Sequence, residues 1–183
     1  KYLGLCLGGS VLLGATSPSV SPSGTIASSS VSYNGGADSS GWIPFDIRAN
    51  HIYLKAVVNG HEVPALLDSG AAVIVINAPD AGRLGVVPSR TELGVGVGGA
   101  TETGMARNVT IAVGKVRIKP GEVAVADHTD FNNRVGEPSS VTLGGEFFHR
   151  TVVDIDFIRR RLAFRKPDSF KAPPAAQWLS LLD

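Results

Sequence analysis

The sequence predicts an all-β domain, a barrel or sandwich of short strands, on three observations. From residue 42 onward nearly every apolar run is short and rich in β-branched or aromatic residues, as in residues 51–58 (HIYLKAVV) and 71–76 (AAVIVI). Turn signals separate such runs roughly every 8–12 residues, the strongest being Asn59-Gly60, a dipeptide suited to a tight hairpin. No strand–helix–strand unit of the kind that builds a parallel sheet is present. With 43% apolar and 18% charged residues, the 183-residue chain has the composition of a globular protein and the length to bury one core.

The elements follow in order. Residues 51–58 are β-rich, turn at Asn59-Gly60 and pair back through 62–67. After the apolar run at 71–76, residues 78–85 (APDAGRLG) read as a short helix or turn, and 94–104 (GVGVGGATETG) as a glycine-rich stretch between extended segments. Residues 108–113 and 115–118 form a hairpin turning at Gly114, and 122–126 a further strand. Residues 127–140 are polar and read as an irregular surface loop. Val141, Thr142, Leu143, Gly144 and Gly145 then lead into a helix of one or two turns over 146–150. Apolar and acidic residues alternate through 153–157, as on a half-buried strand, which turns through Arg159, Arg160 and Arg161 and returns over 162–164.

Composition narrows the function classes. A net charge of +1 argues against a nucleic-acid binder acting through a broad basic face, and the three consecutive arginines read as a solvated hairpin tip. The single cysteine, Cys6, excludes an internal disulfide framework, and the four histidines lack metal-ligand spacing, so neither a metal nor another cofactor is expected. The absence of a Gly-Lys-Ser/Thr motif disfavours phosphoryl transfer. Gly94-Val95-Gly96-Val97-Gly98-Gly99 satisfies G-x-G-x-x-G, but turn and strand follow it where a dinucleotide site needs a helix N-terminus.

Four segments are expected. Residues 1–22 contain an apolar run after a single positive charge, the length of a signal-peptide core, and point to export to the periplasm or outside, with membrane contact only during export. Residues 23–42, dominated by Ser, Gly, Pro and Thr, read as a flexible linker. The folded domain is expected over 43–166. Residues 167–183 form a tail whose Trp178, Leu179, Leu181 and Leu182 lack an obvious partner, which leaves open a further lobe beyond Asp183.

The most informative feature is Asp68-Ser69-Gly70. The apolar run 63–67 delivers it and the run 71–76 follows it, so the Asp68 carboxylate is expected at the edge of the core, where desolvation opposes ionisation. A hydroxyl follows the carboxylate, then a glycine that lets another backbone come close.

These residues together resemble the single-lobed, retropepsin-like aspartic proteases, in particular their exported bacterial members. The resemblance covers roughly residues 43–165. It rests on Leu66-Leu67-Asp68-Ser69-Gly70-Ala71 as the apolar-apolar-Asp-Ser/Thr-Gly-Ala signature, and on Leu143-Gly144 as the apolar-Gly element behind the catalytic loop, with the 146–150 helix after it. The strand pair 152–164 matches the closing acidic strand and arginine-bearing turn. Two departures stand out: Thr142 occupies a position where an aliphatic residue is commoner, and residues 94–104 hold few aromatic or aliphatic side chains for a substrate-clamping flap.

The resemblance implies a retropepsin-like barrel with one short helix near its C-terminal end, and an aspartic endopeptidase acting on extended peptides. Asp68 would be the catalytic acid, with Ser69, Gly70, Ala71, Leu143 and Gly144 supporting its loop and Gly98, Gly99 and Ala100 at the tip of a flap. Such chemistry requires two carboxylates sharing a proton. The chain holds one suitable Asp, because Asp38 lies in the expected linker and Asp168-Ser169-Phe170 lacks the glycine. The second acid would come from another copy in a homodimer, or from a second lobe of the same polypeptide. The main alternative is a dimerisation or protein-binding module that keeps the barrel without proteolysis. A β-rich carbohydrate or ligand binder is a further alternative, disfavoured by the scarcity of aromatics for sugar stacking.

Overall fold

Asn59 and Gly60 both adopt left-handed backbone, with φ of 48° and 90°, and reverse the chain between two strands in register from Ile52↔Leu67 to Val58↔His61. The two positive φ values match the twist of the flanking strands, which is why this dipeptide was legible as a hairpin. The computed structural model of the protein describes residues 29–96 and 99–172. The segment expected to direct export, 1–22, and Trp178, Leu179, Leu181 and Leu182 of the tail lie outside the described residues.

The strands are β1 (Ser30–Tyr33), β2 (Ile43–Pro44), β3 (Asp46–Arg48), β4 (His51–Val58), β5 (His61–Leu67), β6 (Val75–Asn77), β7 (Pro88–Gly96), β8 (Gly99–Ala106), β9 (Ile111–Val113), β10 (Val116–Lys119), β11 (Val123–Ala126), β12 (Val141–Leu143), β13 (Val152–Asp156) and β14 (Arg161–Arg165). Short helices α1 (Ala78–Ala81), α2 (Thr129–Val135) and α3 (Gly145–Arg150) interrupt them. An 11-stranded sheet runs β1-β10-β9-β4-β5-β12-β6-β11-β8-β7, with β3 on the outer side of β4, and β13-β14-β2 form a separate three-stranded sheet. The fold is therefore all-β, as expected.

One crossing positions the site. The chain leaves β5 at Leu67 and returns as β6, yet these two strands do not pair directly. Strand β12 lies between them, parallel to β5 and antiparallel to β6. A three-residue strand fits this slot because all of it is buried: Val141 and Leu143 join the core with Ala65, Leu67, Ile74 and Ile76. Each large aliphatic side chain so buried contributes about 1.5–3 kcal/mol. Phe147 of α3 and Phe164 of β14 close the core, their ring centroids 4.8 Å apart.

Three expectations are corrected. Residues 30–42 are not a flexible linker: Val31 and Tyr33 pack on the core while β1 pairs with β10, and buried Ser40 accepts the Phe164 N–H through Oγ at 2.9 Å. The folded part therefore begins before residue 43. Residues 127–140 are not wholly irregular, because α2 forms within them and ends at Gly136, whose φ of 71° provides a left-handed cap. It is held by Asn132, which accepts from Ser139 Oγ at 2.9 Å and donates to Ser139 O at 3.1 Å. Hence α3 is not the sole helix, although it is the one near the C-terminal end.

The β13–β14 hairpin places Arg159 and Arg160 at its turn, as expected, and Arg161 at the start of β14; Arg159 and Arg161 make contacts that a solvated tip would lack. Arg159 and Arg161 both reach Asp156, Arg165 reaches Asp154 at 2.7 Å, and Arg161 lies 4.3 Å from the centre of the Trp42 ring.

Asp80 in α1 accepts from Asn77 at 3.2 Å and from Arg83 at 2.6 Å. Burial pushes its carboxyl up, but the hydrogen bonds from Arg83, Asn77 and Ser140 outweigh burial and hold it below its ordinary value of 3.8. A lowered folded-state value stabilises the fold at pH above the unfolded one, and the contribution is lost as pH falls through the folded one. Asp80→Asn is expected to cost about 1 kcal/mol at neutral pH. The difference from wild type should shrink in denaturant titrations below pH 3.8, the ordinary value.

Candidate active site

Asp68 follows the last residue of β5 and is half-buried, whereas Ser69 and Gly70 are exposed. The loop is tied down from within and behind. The Gly70 N–H donates to Asp68 Oδ1 at 2.8 Å, which fixes the carboxylate's orientation, and the Ala71 N–H reaches Asp68 O at 3.4 Å. From behind, the Asp68 N–H donates to Leu143 O at 3.1 Å, and the Gly145 N–H donates to Ala71 O at 2.8 Å. The two ends of the β12–α3 junction thus hold the two ends of the Asp68 loop.

Gly144 explains why the junction must be glycine. Its φ of −101° is open to other residues, so conformational freedom is not the reason. A Cβ there would lie 2.2 Å from Val73 O and 2.7 Å from Ala71 O, far inside any real contact. Gly145 is equally crowded, with its Cβ position 2.4 Å from Ala72 O. Leu143 is fully buried and anchors the junction in the core. Ala71 is half-buried, whereas Ala72 and Val73 are exposed beyond it.

Strands β7 and β8 form the glycine-rich hairpin, in register from Gly94↔Thr101 to Gly96↔Gly99. Gly99, with φ of 100°, and Ala100 are exposed near its tip; Gly98 lies outside the described residues. Gly94 leaves room for Thr103, whose Oγ1 would lie 2.4 Å from a Cβ at that position. Leu93 is 71% exposed and provides apolar surface that the count of residues in 94–104 overlooked. At the hairpin base, Glu122 binds both Arg90 and Arg107. Burial raises the Glu122 carboxyl, but its bonds to Arg107 and Arg90 prevail and hold it below the usual range.

The sequence reading therefore brought Asp68, Ser69, Gly70, Ala71, Leu143 and Gly144 to one place, and put Gly99 and Ala100 on a separate hairpin. It missed Glu122 as the clamp of that hairpin, and it missed Tyr53. Tyr53 is paired with Leu66 and is buried, with its hydroxyl unpartnered among the described residues. Thr142 was noted for its residue type, and its hydroxyl is likewise buried and unpartnered among the described residues. A hydroxyl in an otherwise apolar strand was the available signal for Thr142; for Tyr53 there was none without the strand register.

Chemically, the arrangement offers one oriented carboxylate at an open loop, backed by the β12–α3 junction. Among solved structures the chain is similar to a retropepsin-like aspartic protease from Rickettsia conorii, with 20% identity over 76% of this chain and 93% of that one and a TM-score of 0.45. It is also similar to the retroviral protease-like domain of Ddi1 from Leishmania major, with 21% identity, coverage of 66% and 98%, and a TM-score of 0.44. Inhibitor-bound EIAV protease matches at 26% identity, with coverage of 64% and 91% and a TM-score of 0.39. No sequence among curated proteins matches the chain. The family model described as aspartyl protease matches residues 54–147, just over half of the 183-residue chain, and includes β5, the Asp68 loop and the Leu143–Gly144 junction. The chain belongs to the aspartyl protease family.

Proposed function

We propose that the protein is an aspartic endopeptidase in which Asp68 supplies one carboxylate and a second lobe supplies its twin. The observation that carries this reading is the presentation of Asp68: oriented by the Gly70 N–H, fixed from behind by Leu143, and bordered on its open side by exposed Ser69 and Gly70. An exposed rim on so firmly held a loop suits the approach of a second such loop. A symmetric homodimer is the simplest closed arrangement that brings two copies of one residue together.

Two carboxylates about 3 Å apart cannot both ionise, so the pair holds one proton between them. The ionised member takes a proton from water as that water attacks the scissile carbonyl, and the protonated member donates a hydrogen bond to the carbonyl oxygen. Ser69 would bridge the two loops, and Gly70 would let the substrate backbone approach. The β7–β8 hairpin would fold over an extended peptide, adding strand-like hydrogen bonds and excluding water. The exported location inferred from residues 1–22 belongs to the same proposal, and cell fractionation tests it.

Incubation with unfolded casein between about pH 4 and 7 tests the reaction, since a dyad works only between the two apparent pKa values where it holds one proton, and the scan locates that window. Internal cleavage is expected, with specific activity rising as protein concentration rises through the dimer dissociation constant. A stable dimer that leaves casein intact would instead indicate a binding module.

A further inference from the structure

Strands β7 and β8 reach beyond the sheet that carries them. Gly104, Met105 and Ala106 of β8 pair with β11, whereas the rest of β8 and all of β7 pair only with each other among the described residues. Residues 91–94 and 99–103 therefore form an arm held by its own two strands. Its packing is internal as well: buried Thr103 fills the space that Gly94 leaves, while Leu93, Ala100, Thr101 and Glu102 are exposed.

The ladder is weakest where the arm leaves the sheet. Pro88 has no N–H to give, and the register slips between Pro88↔Ala106 and Arg90↔Met105, which makes Ser89 the extra residue of a β-bulge. Gly104 offers no side chain to brace the base, since a Cβ there would lie 2.9 Å from the Pro88 ring. Charged side chains close across this point instead. Glu122, immediately before β11, accepts from Arg90 at 2.5 Å through one oxygen and from Arg107 at 2.8 Å through the other. Arg90 is the first paired residue after the bulge, and Arg107 follows the last residue of β8. Arg90 also donates to Glu92 at 2.5 Å, farther out on the arm. The Glu122 side chain is 18% exposed, against 39% for Arg90 and 47% for Arg107, so it is the most enclosed of the three. One carboxylate thus ties both limbs of the arm to a third strand, where backbone hydrogen bonds do so least.

We propose that Glu122 is a positioning residue that fixes the pivot of the β7–β8 arm, and that ionic strength tunes the order of the arm through it. The consequence for substrate rests on the protease reading given above; the pivot itself does not. An arm held at its base loses less entropy when it closes on a peptide. The ion pairs are partly exposed, so salt screens them, whereas the backbone ladders of the core strands are far less sensitive. The clamp holds the arm and not the Asp68 carboxylate, so its release should act on KM rather than on kcat.

Hydrogen exchange of the full chain, read by mass spectrometry, tests the pivot without any substrate. In Glu122→Gln the amides of residues 91–103 are expected to exchange about fivefold faster, the size that loss of two partly exposed ion pairs allows, while those of β4, β5 and β12 keep their rates. Arg107→Gln should give part of that increase, and combining it with Glu122→Gln should give no more than Glu122→Gln alone. Raising salt from about 0.05 M to about 1 M should speed exchange of the arm in wild type and leave it unchanged in Glu122→Gln. On a peptide that wild type cuts, Glu122→Gln should raise KM about fivefold and keep kcat within about twofold. Arm exchange unchanged by Glu122→Gln, or raised equally throughout the domain with a lower Tm, would overturn the proposal. So would an unchanged KM beside a loosened arm. If wild type cuts no peptide, the protease reading falls, and the exchange rates alone still decide whether Glu122 is the pivot.

Discussion

Asp68→Asn is expected to lower kcat on a peptide substrate by about a thousandfold or more, because on the proposed mechanism it removes the acid–base group at the reacting centre. The fold should be untouched. Asparagine keeps an oxygen where Asp68 Oδ1 accepts the Gly70 N–H at 2.8 Å, and the backbone bond from Asp68 to Leu143 O does not depend on the side chain. KM should move far less than kcat, since on the proposed mechanism the peptide would be gripped along its length by backbone contacts and only its central bond would meet the dyad. Steady-state kinetics beside thermal melting and gel filtration check all three points. A variant within about tenfold of wild type would take Asp68 out of the chemistry.

Gly144→Ala is expected to be at least as damaging, by a different route. The added methyl would lie 2.2 Å from Val73 O and 2.7 Å from Ala71 O, both backbone atoms that no rotamer change can move. Relief requires the 71–73 segment to shift outward or β12 to slide in its slot between β5 and β6. Either movement breaks the Gly145 N–H bond to Ala71 O and the Asp68 N–H bond to Leu143 O that hold the loop. Overpacking of this severity costs about 3 kcal/mol or more. Denaturant unfolding should show that loss, and protein that still folds should have lost activity because Asp68 is misplaced. Gly136→Ala is a useful contrast. It has open space around its Cβ position and only its φ of 71° to strain, so it should be milder and leave the site intact.

What was legible in the sequence follows the reach of each interaction. Asn59-Gly60, the apolar run before Asp68 and the Leu143-Gly144 step are local signals, and each lies where it was expected; of the run 71–76 only Val75 and Ile76 enter a strand, because residues 71–73 form the largely exposed loop that packs on Gly144 and Gly145. Strand β1 was missed because Ser-rich composition hid a period-two pattern: Val31 and Tyr33 face the core while Ser30 and Ser32 face outward. Its stability comes from pairing with β10, some 85 residues away, and composition carries no trace of that partner. Helix α2 has no fully buried residue and no apolar stripe, so periodicity could not find it; the Asn132–Ser139 bonds and the Gly136 cap sustain it. At the site, the motif residues were readable because they are contiguous. Glu122 acts through Arg90 and Arg107, partners distant in sequence that a linear reading does not supply. Thr142 could be flagged by type alone, but only the pairing with Leu66 and Val75 assigns it a face.

The most direct test of the central claim mixes wild type with Asp68→Asn at varied ratios after refolding them together, and measures activity per total chain. If each working site needs one Asp68 from each of two copies, activity follows the square of the wild-type fraction, and an equal mixture retains about a quarter of full activity. Activity proportional to the wild-type fraction, about half in the equal mixture, would mean that one chain hydrolyses peptides without a second Asp68.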